Sequence, residues 1–408
     1  MRTSIVVALV LLSAGPTRGQ DGAPNFVEAV IQRLELGEPI QTEAAILIPL
    51  ILADAPEDAG VDAMAKGSVE FAEPEKPARR HNIVVRNAGK RPVLIPAGLV
   101  LEGGKIDRMV ANDGIVAAGA EVELRALPAA SSSDVRQTPA PFRTSPALAP
   151  LYLRRKAEFD FSESLVPSFV AKWIEFRNEG DKRRSLVAIQ DSTQLAEYSL
   201  RSREQASGLP EGLAGRTVVG GIGAVRGRVQ MLAVFGTNGL IEDHFDGLLR
   251  GVTFVAAAIE IRAKAAGVTL PGKGDPAKTL EIVKQDAEAL LAKLKKASYD
   301  RVPPAGGDAG ETLILRMSGN TRGRAVGLDG KLVHLAVYPY DPVEAKLYAA
   351  TVDPDAKPEP EPEKVEDDEE ARPTTDEEDD FIDGWRDRVG RRAGGGAGGR
   401  GGGGGGRR

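Results

Sequence analysis

The chain has 408 residues, 42% of them hydrophobic, and no cysteine. That excludes a disulfide-supported fold, a catalytic thiolate, cysteine-ligated metal and lipoprotein acylation. The formal charge of −6 belongs to the tails. Asp353–Asp383 carries sixteen acidic and three basic residues, and Gly384–Arg408 carries seven Arg and one Asp, which leaves the body near +1. A near-neutral body gives no field for nucleic acid, and none is expected as a partner of the folded part.

Met1–Gly19 reads as a Sec-type signal peptide. Arg2 supplies the positive start, Ile5–Leu12 the short apolar core, and Ser13, Ala14 and Gly15 the small residues before a cleavage point near Gly19. The apolar core is shorter than the roughly 20 residues a membrane span needs. No later segment reads as a transmembrane span once the signal is removed. The expected location is secreted or periplasmic.

The body, residues 20–350, is long enough for one large core or two lobes divided near Pro128–Pro150. Asn25–Leu36 is predicted helical, with Asn25 as cap and Phe26, Val27, Val30 and Leu34 on one face. Ala44–Ala53, Gly67–Ala72 and His81–Asn87 are strand patterns. After the Ala88-Gly89-Lys90 turn comes a strand-like run, Arg91–Val110. Glu121–Leu127 alternates and is a further strand. Pro128–Pro150, rich in Ala, Ser, Thr and Pro, reads as a long connection. Val170–Glu179, containing Trp173, is predicted helical.

Thr217–Phe235 contains Gly220, Gly221, Gly223 and Gly227. A dinucleotide fingerprint needs G-x-G-x-x-G opening a helix. Here the last glycine comes one residue late, and Arg228–Phe235 is strand-like. The segment is therefore a β-hairpin turning at Arg226-Gly227. Leu240–Ala266 forms a long helix. Asp275-Pro276 caps another, with Leu280, Val283, Ala287, Leu290, Leu291 and Leu294 on one face. Thr312–Met317 and Lys331–Tyr338 are strand patterns. The predicted class is α+β: mainly antiparallel sheets, several packed helices and a charged, disordered C-terminal tail. The tail divides into an acidic Pro/Glu/Asp-rich segment, 351–383, and a Gly/Arg-rich one, 384–408.

The densest chemistry lies in Arg91–Val110. Glu102, Gly103, Gly104, Lys105, Asp107 and Arg108 fall within seven residues at the end of an apolar strand. Lys105 and Arg108 suit an anionic ligand, and Gly103-Gly104 permits close backbone approach. In an extended strand Lys105 and Asp107 would share a face. Glu102 and Asp107 are the candidate acid or base. A strand end with a glycine bulge and an ion-pair cluster explains the same residues structurally. The three histidines, His81, His244 and His334, show no metal-ligand spacing; His244 beside Asp243 and Asp246 comes nearest. No metal and no cofactor is expected.

Several of these segments resemble one family. They are Val93–Gly98, Leu99–Arg108, Ala117–Leu124, Ile222–Val225 running into Val234–Gly236, and Gly327–Leu335. Together they are similar to the ARG and Rhodanese-Phosphatase-superfamily-associated protein domain family, over roughly Phe26–Tyr340. The resemblance implies association with ADP-ribose or phosphate metabolites and does not itself name a reaction. Two functions fit the sequence. One is a secreted binding or scaffold module for an anionic or polymeric ligand. The other is a hydrolase of a phosphate- or ADP-ribose-containing metabolite.

Overall fold

The computed structural model describes residues 25–339, except 43–44, 55–56, 65–68, 76–80, 161–163, 174–183, 192–196, 198–199, 202–203, 205–216, 266–274, 305–308 and 320. The expected signal peptide, the two tail segments and the end of the Val170–Glu179 helix lie outside these residues.

The chain opens with α1 (Phe26–Ile31), where Asn25 Oδ1 accepts from the Val27 and Glu28 N–H groups and Glu28 reaches back to the Asn25 N–H. Strands β1 (Glu35–Leu36), β2 (Ile40–Gln41), β3 (Ile46–Leu52), β4 (Asp62–Ala63), β5 (Val69–Ala72), β6 (Asn82–Asn87), β7 (Val93–Ile95), β8 (Leu99–Gly104), β9 (Arg108–Val110), β10 (Gly114–Val116), β11 (Glu121–Pro128) and β12 (Ala140–Leu148) follow. Helices α2 (Leu151–Phe159), α3 (Leu165–Trp173) and α4 (Leu186–Gln190) precede the hairpin β13 (Thr217–Val225) and β14 (Arg228–Phe235). The long helix α5 (Asn238–Ala265), then α6 (Pro276–Leu294), lead into β15 (Ser298–Val302), β16 (Glu311–Arg316), β17 (Arg322–Leu328) and β18 (Lys331–Tyr338).

The strands make a nine-stranded sheet in the order β1-β3-β13-β14-β18-β17-β16-β15, with β2 also on β3. A six-stranded sheet runs β12-β8-β9-β11-β6-β5, and a three-stranded one β10-β7-β4. Every pairing is antiparallel except β4 with β7. The class is α+β with mainly antiparallel sheets, as predicted.

Alternation along the central strands divides the core. In β14, Leu232 and Val234 face a cluster with Phe26 and Ile31 of α1 and Val283, Leu290 and Leu294 of α6. Met231, Ala233 and Phe235 face the opposite layer, with Leu248, Val252 and Val255 of α5 and Leu94 of β7. The six-stranded sheet divides likewise. Leu99 and Leu101 of β8 pack with Ile83, Val85 and Val110, whereas Val100 packs with Leu153 of α2 and Phe169 of α3. The Arg226-Gly227 turn joins β13 to β14 with φ of 51° and 80°, the pair of positive values that a two-residue hairpin turn requires.

Three expectations need correction. The Asn25–Leu36 helix ends at Ile31, after which Glu35 and Leu36 pair with Ile51 and Leu50. Arg91–Val110 is three strands, because the chain turns at Pro96–Gly98, where Gly98 adopts φ of 81°, and again at Lys105–Asp107. Pro128–Pro150 contains a 3-10 turn (Ser132–Asp134) and strand β12. β12 tolerates its prolines because it lies at a sheet edge, with β8 as its neighbour. Strands β15 and β17 carry no clear alternation and add to the two strands expected in this region.

Candidate functional site

The Glu102–Arg108 segment is the tip of the β8–β9 hairpin. Lys105 is exposed and Asp107 is buried, so they do not share a face; the strand ends before them. Asp107 Oδ1 accepts from the Gly103 N–H at 3.0 Å and from Arg136 Nη2 at 2.7 Å. Arg136 Nη1 also donates to the Gly103 carbonyl at 2.8 Å. Arg108 donates to Glu73 Oε2 at 3.0 Å, while Glu73 Oε1 receives the Lys105 N–H at 3.0 Å. Glu102 stands opposite Arg143 of β12. A Cβ at Gly104, whose φ is 58°, would lie 2.3 Å from the Phe142 ring. The glycines thus admit Phe142 and the neighbouring strand. Asp107 and Arg108 hold the hairpin to Arg136 and Glu73.

A second cluster lies deeper, between the inner face of the nine-stranded sheet and α2. β18 turns His334, Ala336 and Tyr338 to this face, and β17 places Arg324 opposite Ala336. The Ala111–Asp113 connection brings in Asn112 and Asp113. One turn of α2 supplies Arg154 and Glu158, which share a face at i, i+4 spacing. His244 enters from the first turns of α5. All seven charged or polar side chains, together with Tyr338, are buried, Arg154 and Tyr338 to within 1% and His334 to within 2% of full burial.

His334 Nδ1 lies 2.7 Å from Asp113 Oδ2, and the Ala97 N–H donates to Asp113 Oδ1 at 2.7 Å. Burial opposes ionisation of Asp113. The His334 ring, the Ala97 N–H and the field of Arg154 outweigh it and hold the carboxyl at about 2. An ionised carboxylate only accepts hydrogen bonds, so His334 donates from Nδ1 to Asp113 Oδ2. Phe235 stands opposite His334 in the sheet and fixes the ring plane by stacking at 4.7 Å. It stacks on His244 at 5.6 Å.

Tyr338 Oη donates to Glu158 Oε1 at 2.8 Å. Burial, reinforced by the charge of Asp113, pushes the Glu158 carboxyl up to about 8 despite Arg154 and Arg324. Burial also raises the Tyr338 phenol well above its ordinary value. His244 moves the other way: burial and the field of His334 bring it down to about 4. The Arg154 guanidinium lies over the Tyr338 ring at 5.7 Å, and Arg324 Nη1 donates to Asn112 at 2.7 Å. Among the described residues, Arg154 Nε and Nη1, Arg324 Nε, Glu158 Oε2 and His244 Nε2 are buried without a hydrogen-bond partner.

The charges do not balance. At neutral pH two guanidiniums face one ionised carboxylate, Asp113, because Glu158 keeps its proton. Excess buried positive charge and unmade N–H bonds favour an anion. A narrow cleft of about 10 Å³, room for about one water, is lined by Asp113, Ile115, Pro304, Glu311, Thr312 and Val326.

Of the predicted candidates, the structure stacks both His244 and His334 on Phe235 and leaves His81 in the turn just ahead of β6, a strand of the six-stranded sheet. Asp246 pairs with Arg250 at 3.0 Å. Among the described residues no three His, Asp or Glu side chains gather as a metal site, and no helix is long and apolar enough to cross a membrane.

The model of the ARG and Rhodanese-Phosphatase-superfamily-associated Protein domain matches residues 33–338, well over half of the chain and the whole span that carries both clusters. No curated protein and no solved structure matches. The chain belongs to the ARG and Rhodanese-Phosphatase-superfamily-associated Protein domain family.

Proposed function

We propose that the chain is a secreted binding module for a small anion, received by Arg154 and Arg324. One observation carries this reading. Two buried guanidiniums retain unmade N–H bonds beside a single ionised carboxylate and a neutral one. Leaving a buried charge uncompensated costs several kcal/mol, and an oxyanion that accepts from both guanidiniums removes that cost. The Glu102–Arg108 hairpin is the weaker place for a ligand, because Asp107 and Arg108 already have Arg136 and Glu73 as partners. Secretion rests on the Met1–Gly19 pattern; N-terminal sequencing of the exported protein is expected to begin near Gln20.

The test is thermal denaturation of the full chain with and without inorganic phosphate or sulfate. Phosphate is expected to raise the midpoint of the native chain and not that of Arg154→Gln. Equal behaviour of the two proteins, or no shift in either, would remove the assignment.

A further inference from the structure

The same buried cluster holds the parts of an acid–base catalyst, and this inference rests on the anion-binding reading above. We propose that it hydrolyses a small oxyanion ester such as a phosphate monoester. Arg154 holds the anionic group, His334 backed by Asp113 deprotonates a water, and Glu158 gives its proton to the leaving oxygen.

The geometry is polar at both ends. Along β18, His334 and Tyr338 share a face four residues apart, about 13 Å at ordinary strand rise. At the first end, Asp113 fixes the His334 tautomer through Nδ1, so Nε2 is the nitrogen that takes a proton. At the second, Tyr338 donates to Glu158 Oε1, so the acidic proton belongs on Oε2, the oxygen with no partner. The Arg154 guanidinium covers the Tyr338 ring, and its field reaches both Asp113 and Glu158. Arg324, on the neighbouring strand, adds a second positive charge for a doubly charged group.

The step balances with water as the only co-reactant. Water oxygen forms a bond to phosphorus as the bond from phosphorus to the ester oxygen breaks. Nε2 of His334 takes the water proton, and Glu158 protonates the departing oxygen to an alcohol. His334 then releases its proton to solvent, and Glu158 recovers one. No residue is oxidised or acylated, consistent with a chain that has no cysteine.

The experiment measures phosphate release from 4-nitrophenyl phosphate and from ethyl phosphate by the full-length chain. Both are expected to be hydrolysed. His334→Gln should lower kcat by about 100-fold or more on either ester, while inorganic phosphate still raises the melting midpoint. Glu158→Gln should cost far more on ethyl phosphate, whose alkoxide needs a proton to leave, than on the nitrophenyl ester. Should His334→Gln not fold, that leaving-group difference decides alone. Phosphate binding by the native chain with no turnover of either ester would overturn catalysis and leave the binding reading intact. Turnover indifferent to both substitutions would also overturn it. No phosphate binding at all would remove both.

Discussion

Gly98 and Arg154 occupy space that only a glycine allows them to share. A Cβ at Gly98 would stand 2.5 Å from Arg154 Cγ and 2.6 Å from Cδ. Gly98 also adopts φ of 81°, a conformation that costs other L-residues about 1–2 kcal/mol. The corner between β7 and β8 thus serves as the ceiling under which the Arg154 stem passes. Gly98→Ala is expected to lower unfolding free energy by at least that backbone cost, read by urea titration. It should also weaken phosphate binding by displacing the guanidinium. Retained binding with only a stability loss would separate the corner from the site.

Glu158 gives the fold an alkaline sensitivity. Its carboxyl lies at about 8 in the folded chain against 4.5 ordinarily. The folded state therefore binds more protons than the unfolded state between those values. Stability must fall as pH rises through that window, by up to about 1.4 kcal/mol per pH unit for one fully linked proton. Glu158→Gln keeps the shape and stays neutral. Its stability relative to the native chain should rise steadily from pH 5 to pH 8 in urea titrations. Parallel profiles for the two proteins would show that Glu158 is ionised in the fold.

The sheets were largely legible because their strands carry simple signals. Ile46–Leu52 is continuously apolar, and Arg226-Gly227 falls between two strand patterns at a two-residue turn. Asp275 caps α6 through the Ala277 N–H at 3.0 Å, as an Asp-Pro start implies. β12 was hidden by its two prolines and by Thr144-Ser145, which are composition of loops until an edge position excuses them. The buried cluster was hidden for another reason. Its two pairs at 2.7 Å, Asp113 with His334 and Asn112 with Arg324, are 221 and 212 residues apart, and each member alone is unremarkable. The traces available were a histidine inside the apolar run Leu332–Tyr338 and an Arg154–Glu158 pair on an otherwise packed helix. The Glu102–Arg108 segment drew attention because its charges are adjacent in sequence; the fold spends them on Arg136 and Glu73.

That hairpin yields its own prediction. Asp107 is 2% exposed, and its oxygen receives both Arg136 and the Gly103 N–H. Arg136→Ala leaves the carboxylate buried with a single backbone donor. The expected loss is about 3 kcal/mol, at the low end for breaking a buried pair because Arg136 is partly exposed. Phosphate should shift the melting midpoint of this variant as much as that of the native chain. A variant that folds normally but no longer responds to phosphate would return the ligand to the hairpin.

His244 adds an acid sensitivity of opposite sign. Burial first, then the field of His334, lowers it to about 4 from 6.5, while Asp243 and Asp113 pull the other way and Arg154 adds to the lowering. The folded chain thus binds fewer protons than the unfolded chain between pH 4 and 6.5. Stability from this group is present above 6.5 and is lost as pH falls through the window. Asp113, lowered to about 2 from 3.8, adds a further loss below pH 4. His244→Phe keeps a ring against Phe235 and cannot take the proton. Urea titrations at pH 7 and pH 4.5 should show a smaller loss for the variant than for the native chain, with the steeper fall below pH 4 unchanged. An equal loss would mean that His244 reaches solvent and titrates alike in both states, and that the stack on Phe235 does not shield the cluster on this side.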